Sequence, residues 1–181
     1  VIFNQRSEEK SDMGDSKKLI KIFEYALNQE KTGMNFFRTS LENMGIGAAV
    51  TALRRLIQEE EKHIEFISMI LADLNQEVEI DLERAGKVAL PPTDYFDQRA
   101  KSEFLEQCVE GSMVPDVTVF NTAWLIEKDL SEFYAKMAEQ TEGKASMALK
   151  MLADWEKQHE QFFKDYRDRL SEVYANMPWG G

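Results

Sequence analysis

Cysteine is nearly missing: Cys108 is the only one in 181 residues. One thiol closes no internal disulfide, and without a CxxC pair the chain builds no tetrathiolate site of its own. That usage fits a reducing, cytoplasmic setting, with Cys108 most simply a small buried residue. Basic charge is short as well, with 22 Lys and Arg against 33 Asp and Glu and a formal net charge of -11. No cluster of Lys and Arg forms a positive face, which excludes a phosphate backbone or an anionic membrane surface as a leading partner. Long apolar runs do not occur, and none approaches the ~20 residues that span a bilayer. The opening Val1-Ile2-Phe3-Asn4-Gln5-Arg6 is too short and polar for a signal h-region, so the chain reads as soluble. Period-2 alternation between hairpin turns is also lacking, which leaves an all-α reading.

What the sequence does have is helical periodicity over stretches several times the ~5–6 residues of a typical strand. Helix A is expected from the N-cap residues Asp15-Ser16 to Gly45, with Leu19, Phe23, Ala26, Met34, Phe37, Leu41 and Met44 on one stripe. After the break Gly45-Ile46-Gly47, helix B carries Leu53, Leu56, Ile57, Ile64, Ile67, Ile70, Leu71 and Leu74. A long connection follows, containing Gly86, Pro91-Pro92 and Gly111, with a short helix expected from Thr93 through Cys108. Helix C is expected from Pro115-Asp116 to Gly143, along Phe120, Ala123, Trp124, Leu130, Tyr134 and Met137. Helix D carries Leu149, Leu152, Phe163, Tyr166, Leu170 and Val173, and Pro178 closes it. Two hairpins joined by one long crossover make a ferritin-like four-helix bundle over residues 16–175, with tails at 1–15 and 176–181.

Each stripe is interrupted near its middle by a group that does not belong in an apolar core. Glu30 falls between Ala26 and Met34, Glu60 and His63 between Leu56 and Ile67, Glu127 between Ala123 and Leu130, and Glu156 and His159 between Leu152 and Phe163. Four carboxylates at one level of a bundle must be paired, protonated or bound to cations, because a lone buried charge costs several kcal/mol. Glu and His at i and i+3 project from one helix face, so each Glu-x-x-His offers an oxygen and a nitrogen to one small volume. A single such motif on a charged helix is ordinarily a solvated face. Here two of them take up the chain's only two histidines, and single glutamates from the other helices complete the set known from di-iron and di-manganese bundles.

The chain also repeats itself. Glu30-Lys31 followed by Phe36-Phe37 returns as Glu127-Lys128 followed by Phe133-Tyr134, and Glu60, His63 and Phe66 return as Glu156, His159 and Phe162, at offsets that agree to within one residue. Two hairpins related by an approximate two-fold axis would set equivalent groups on either side of a metal pair. The aromatics Phe36, Phe37, Phe133, Phe162 and Phe163 are expected in the core.

On these residues the chain resembles the rubrerythrin group of the ferritin-like superfamily, over roughly residues 16–175. The resemblance implies two iron ions, with manganese or zinc able to take the site in a purified sample, and no haem. Glu60 and Glu156 would bridge them, with Glu30 and His63 serving one ion and Glu127 and His159 the other. It also implies reduction of hydrogen peroxide or dioxygen, a homodimer, and a separate electron-donor protein, since the rubredoxin domain that many relatives add is not in this sequence. Two positions depart from the family pattern. The carboxylate expected one turn after Glu127 is Leu130, and a tyrosine often found seven residues after the helix A ligand is Phe37, while its counterpart survives as Tyr134, expected to hydrogen-bond behind a ligand. Bacterioferritin is similar in the same six ligands, but Glu61 stands where its haem methionine follows the helix B glutamate. An iron-oxidising storage protein is the alternative reading, and a bundle with purely structural metals the third.

Overall fold

The computed structural model describes residues 2–43, 48–88 and 114–176. They form α1 (Ile2–Asn43), α2 (Ala48–Asn75), α3 (Leu82–Gly86), α4 (Val114–Glu139) and α5 (Gly143–Asn176), with no strand among the described residues. The all-α bundle of two hairpins is the observed architecture. α1 packs along α2, α4 along α5, and the hairpins meet where α1 lies against α4.

The helix ends follow local chemistry, with some departures from expectation. α1 starts at Ile2 instead of at Asp15-Ser16. Residues 2–14 contain no proline, and the ~1 kcal/mol that Gly14 costs in a helix interior does not stop a helix already running through Glu8-Glu9-Lys10. α2 ends in a Schellman turn: Glu77 takes the left-handed φ of 55°, Val78 N–H donates to Asp73 C=O at 3.1 Å, and Glu77 N–H donates to Leu74 C=O at 3.2 Å. α4 stops at Glu139, earlier than the expected end at Gly143. Gly143 instead opens α5 with a φ of 57°, a conformation a Cβ would resist even though the space around it is open. Ser146 Oγ then donates to Ala138 C=O at 2.8 Å and ties the two helix ends together.

α3 is a short helix inside the segment read as connection. Its N-cap Asp81 accepts from Arg84 N–H, and both residues are anchored to α2 by Asp73, which accepts from Asp81 N–H at 3.0 Å and pairs with the Arg84 guanidinium. These bonds hold the Asp73 carboxyl below its usual range. The helix expected from Thr93 through Cys108 lies outside the described residues, as do Gly45–Gly47 and Pro178.

The core consists of two apolar clusters stacked along the bundle. One gathers Phe23, Phe66, Ile70, Leu130, Tyr134 and Leu149 with their neighbours; the other gathers Phe37, Leu53, Phe120, Phe162, Phe163 and Tyr166. Among the expected core aromatics, Phe37, Phe162 and Phe163 are buried, whereas Phe36 and Phe133 are half-buried. On every long helix the two clusters are separated by the polar interruption noted above.

Candidate metal centre

Four helices each contribute to the layer between the clusters. Glu30 comes from α1, Glu60 and His63 from α2, Glu127 from α4, and Glu156 and His159 from α5. The most exposed of the six, His63, is 5% accessible, so the whole layer is out of water. Glu60, His63, Glu156 and His159 each place one donor atom within 4.8 Å of the others. His63 Nδ1 lies 2.7 Å from Glu156 Oε1 and 3.2 Å from Glu60 Oε2. His159 Nδ1 lies 3.0 Å from Glu60 Oε1, 3.4 Å from Glu156 Oε2 and 3.7 Å from Glu127 Oε2. Glu60 and Glu156 therefore sit between the two imidazoles, and Glu127 stands on the His159 side. Glu30 accepts a short hydrogen bond from the Tyr134 hydroxyl.

Closeness here does not mean hydrogen bonding. Both carboxylate oxygens of Glu60, Glu127 and Glu156, together with Glu30 Oε2 and His63 Nδ1, are buried without an aligned hydrogen-bond partner. Buried acceptors whose neighbours are close but poorly aligned are costly in this number, since each gives up its hydration for a weak replacement. Atoms that lie 2.7–3.7 Å apart yet do not point at one another point at a shared volume. Glu60, His63, Glu156 and His159, whose donor atoms share that volume, suit divalent metal in charge and in donor type, hard oxygen with borderline nitrogen, while Glu30 and Glu127 stand outside this group of four.

Without metal, protons do the balancing. The Glu30 carboxyl is pushed well above the usual range by burial and by the charges of Glu156 and Glu60, and Glu127 likewise by burial, Glu60 and Glu156. Burial would also raise Glu156 and Glu60, but the neighbouring imidazoles overcome it and hold both carboxylates low, Glu156 strongly so. Burial disfavours charge on His63, yet Glu156 and Glu60 keep its imidazole protonated to a pH well above its ordinary value. For His159, burial is outweighed by Glu127, Glu156, Glu59 and Glu60. Tyr134, buried beside Glu30, stays a phenol and a donor. Two neutral carboxyls, two carboxylates and two imidazoliums sum to zero charge, the same total that four carboxylates and two neutral imidazoles reach with two divalent ions.

Two further residues touch the layer and were not singled out from the sequence. Glu59 Oε2 lies 2.9 Å from His159 Nε2. Trp155 stacks on His63 with ring centroids 5.1 Å apart and planes at 12°. Glu59 belongs to the acidic run Glu59-Glu60-Glu61, which reads as a solvated face, and its partner comes from another helix, so no local spacing reveals it. Glu160 is also buried, but it is satisfied by Ser131 at 3.3 Å and Lys157 at 2.6 Å. Leu130, one turn after Glu127, is 6% exposed within an apolar cluster, so that position offers no further oxygen.

A groove of about 690 Å³ runs along the α1–α4 seam, lined by Tyr25, Gln29, Gly33, Ile126, Leu130 and Phe133 among others. Gly33 keeps the seam close: a Cβ there would stand 3.3 Å from Ile126 Cγ2. No helix among the described residues is long and apolar enough to cross a membrane. Among family models, that of rubrerythrin matches residues 21–166. No curated protein and no solved structure matches the chain.

Proposed function

Since the chain belongs to the rubrerythrin family, we propose that its buried layer holds two iron ions and that it works as a non-haem di-iron oxidoreductase reducing hydrogen peroxide or dioxygen. The observation that carries this reading is the convergence of Glu60, His63, Glu156 and His159 in one buried volume, with buried oxygens of Glu30 and Glu127 in the same layer. In this proposal Glu60 and Glu156 are shared between the ions, Glu30 and His63 serve one, and Glu127 and His159 serve the other. When bound, two ferrous ions would supply the two electrons that cleave the O–O bond of hydrogen peroxide, or that take dioxygen to the peroxide level.

The chain's own residues supply placement and protons. The imidazole and carboxylate donors are fixed by rigid helix backbones, so little rearrangement accompanies loading. Tyr134 keeps a phenolic proton on Glu30 Oε1 and thereby orients that carboxylate. The apolar clusters on either side of the layer exclude bulk water from it. In this proposal the electrons come from a separate donor protein, and the reading includes a homodimer, a cytoplasmic setting and no haem.

Anaerobic loading with Fe(II), elemental analysis, and stopped-flow mixing with peroxide or with dioxygen test the proposal. Two irons per chain, oxidised faster by peroxide and without mineral in solution, is the expected result. Faster oxidation by dioxygen with iron mineral accumulating would replace it by the ferroxidase alternative. Bound metal inert to both oxidants would leave only a structural centre.

A further inference from the structure

The internal repeat makes the two halves of the layer comparable, and they are not alike. The step that relates Glu60 to Glu156 relates Glu59 to Trp155, and the step that relates Glu30 to Glu127 relates Phe37 to Tyr134. Behind His159 there is a carboxylate, Glu59, at 2.9 Å from Nε2. Behind His63 there is an indole face, and no carboxylate among the described residues accepts from its Nε2. On the carboxylate side, Glu127 stands by His159, so its repeat counterpart Glu30 belongs to the His63 half. There Tyr134 donates to Glu30, whereas the matching Phe37 packs on Phe36 and Phe163, with ring centroids 5.7 and 6.0 Å away.

We infer that the two metal positions are unequal, with Glu59 acting as a positioning residue that makes the Glu127/His159 position the tighter and first-filled one. The inference rests on the dinuclear reading above. Glu59 selects the tautomer with the proton on Nε2, which turns the Nδ1 lone pair of His159 toward Glu60, Glu127 and Glu156, and its charge makes that nitrogen a stronger donor. Arg55 lies 3.7 Å from the other Glu59 oxygen, an ion pair within α2. His63 is held flat by Trp155 without such a charge, and its half also has a carboxylate already engaged by a phenol. Both differences act in one direction: the His159 half offers a divalent cation more negative charge and a better fixed nitrogen. The His63 half is the exchangeable one, and it is the half that Trp155 connects to the partly exposed surface of α5.

Cobalt(II) titration of the metal-free chain, followed by calorimetry and visible absorption under anaerobic conditions, reads the inequality directly. Wild type should fill in two separable steps, and Glu59→Ala should weaken the first by about 10–100-fold, the usual cost of losing such a partner, while leaving the second nearly unchanged. Glu59→Gln keeps an acceptor without the charge and should fall between them; it also serves as the readout if Glu59→Ala proves poorly folded. Crystals grown with one equivalent of cobalt should show stronger anomalous scattering beside His159 than beside His63. Two cobalt ions bound in one inseparable step, equal occupancy in those crystals, or a Glu59 variant with unchanged first affinity would overturn the inequality while leaving the dinuclear centre intact. A wild type that takes up no cobalt would overturn the centre itself and the inequality with it.

Discussion

The ends of the bundle and its middle are made of opposite materials. In the end clusters Phe23, Phe66, Phe120 and Phe163 are fully out of solvent, and such side chains each stabilise the fold by roughly 1.5–3 kcal/mol through burial. The middle layer buries six titratable groups that stabilise nothing unless protons or cations neutralise them. The difference separates two tasks. The clusters hold four helices in register with or without metal, and the register they impose keeps unpaired oxygens facing each other, an arrangement that a chain selected for stability alone would replace with leucine.

The largest effect should come from the centre of the layer. Glu60→Ala removes the carboxylate that lies between both imidazoles, and metal content measured by elemental analysis should fall from two ions per chain to none, with the helices retained by circular dichroism. Next is an end cluster. Phe163→Ala should cost about 3–5 kcal/mol in denaturant unfolding, by nearly the same amount in metal-free and metal-loaded protein, because it packs away from the ligands. A third substitution should reverse the usual sign of a core mutation. Glu127→Leu removes two unpaired buried oxygens and should stabilise the metal-free protein by roughly 1–3 kcal/mol while weakening metal binding, and a metal-free melt below wild type would count against the account.

The pH dependence sharpens the same contrast. In the metal-free protein His63 and His159 are raised from an ordinary value of 6.5, so their ion pairs contribute fully below that pH and are lost as pH climbs through the folded values. Glu30 and Glu127 are raised from 4.5, so ionising them above that pH costs folded stability as well. Glu60 and Glu156 are lowered and contribute a constant amount above 4.5. Metal-free stability should therefore fall as pH rises from about 5 to 8. Metal held as proposed would need all six groups deprotonated, so over the same window the stability of the loaded protein should rise. Melting temperatures of both forms across that window check the inversion; parallel slopes would show that protons and metal do not compete for the layer.

How much of this could be read from the sequence depends on range. The four long helices are legible because a 3.6-residue stripe is a local pattern, and the six polar interruptions are legible because each breaks its own stripe. Tyr134 stands out through the repeat. Glu59 and Trp155 do not, because what distinguishes them is a contact made across helices, with His159 and His63. The start of α1 at Ile2 was hidden by Asp15-Ser16, good capping residues that the helix simply passes through. α3 exists because Asp73 of α2 anchors Asp81 and Arg84, a tertiary tie that a segment of loop-like composition does not announce.

Anomalous diffraction from crystals of the iron-loaded protein tests the central claim most directly. The account predicts two iron peaks in the layer between the apolar clusters, each within bonding distance of both Glu60 and Glu156, one beside His63 and one beside His159. A single peak, or iron bound away from that layer, would contradict it.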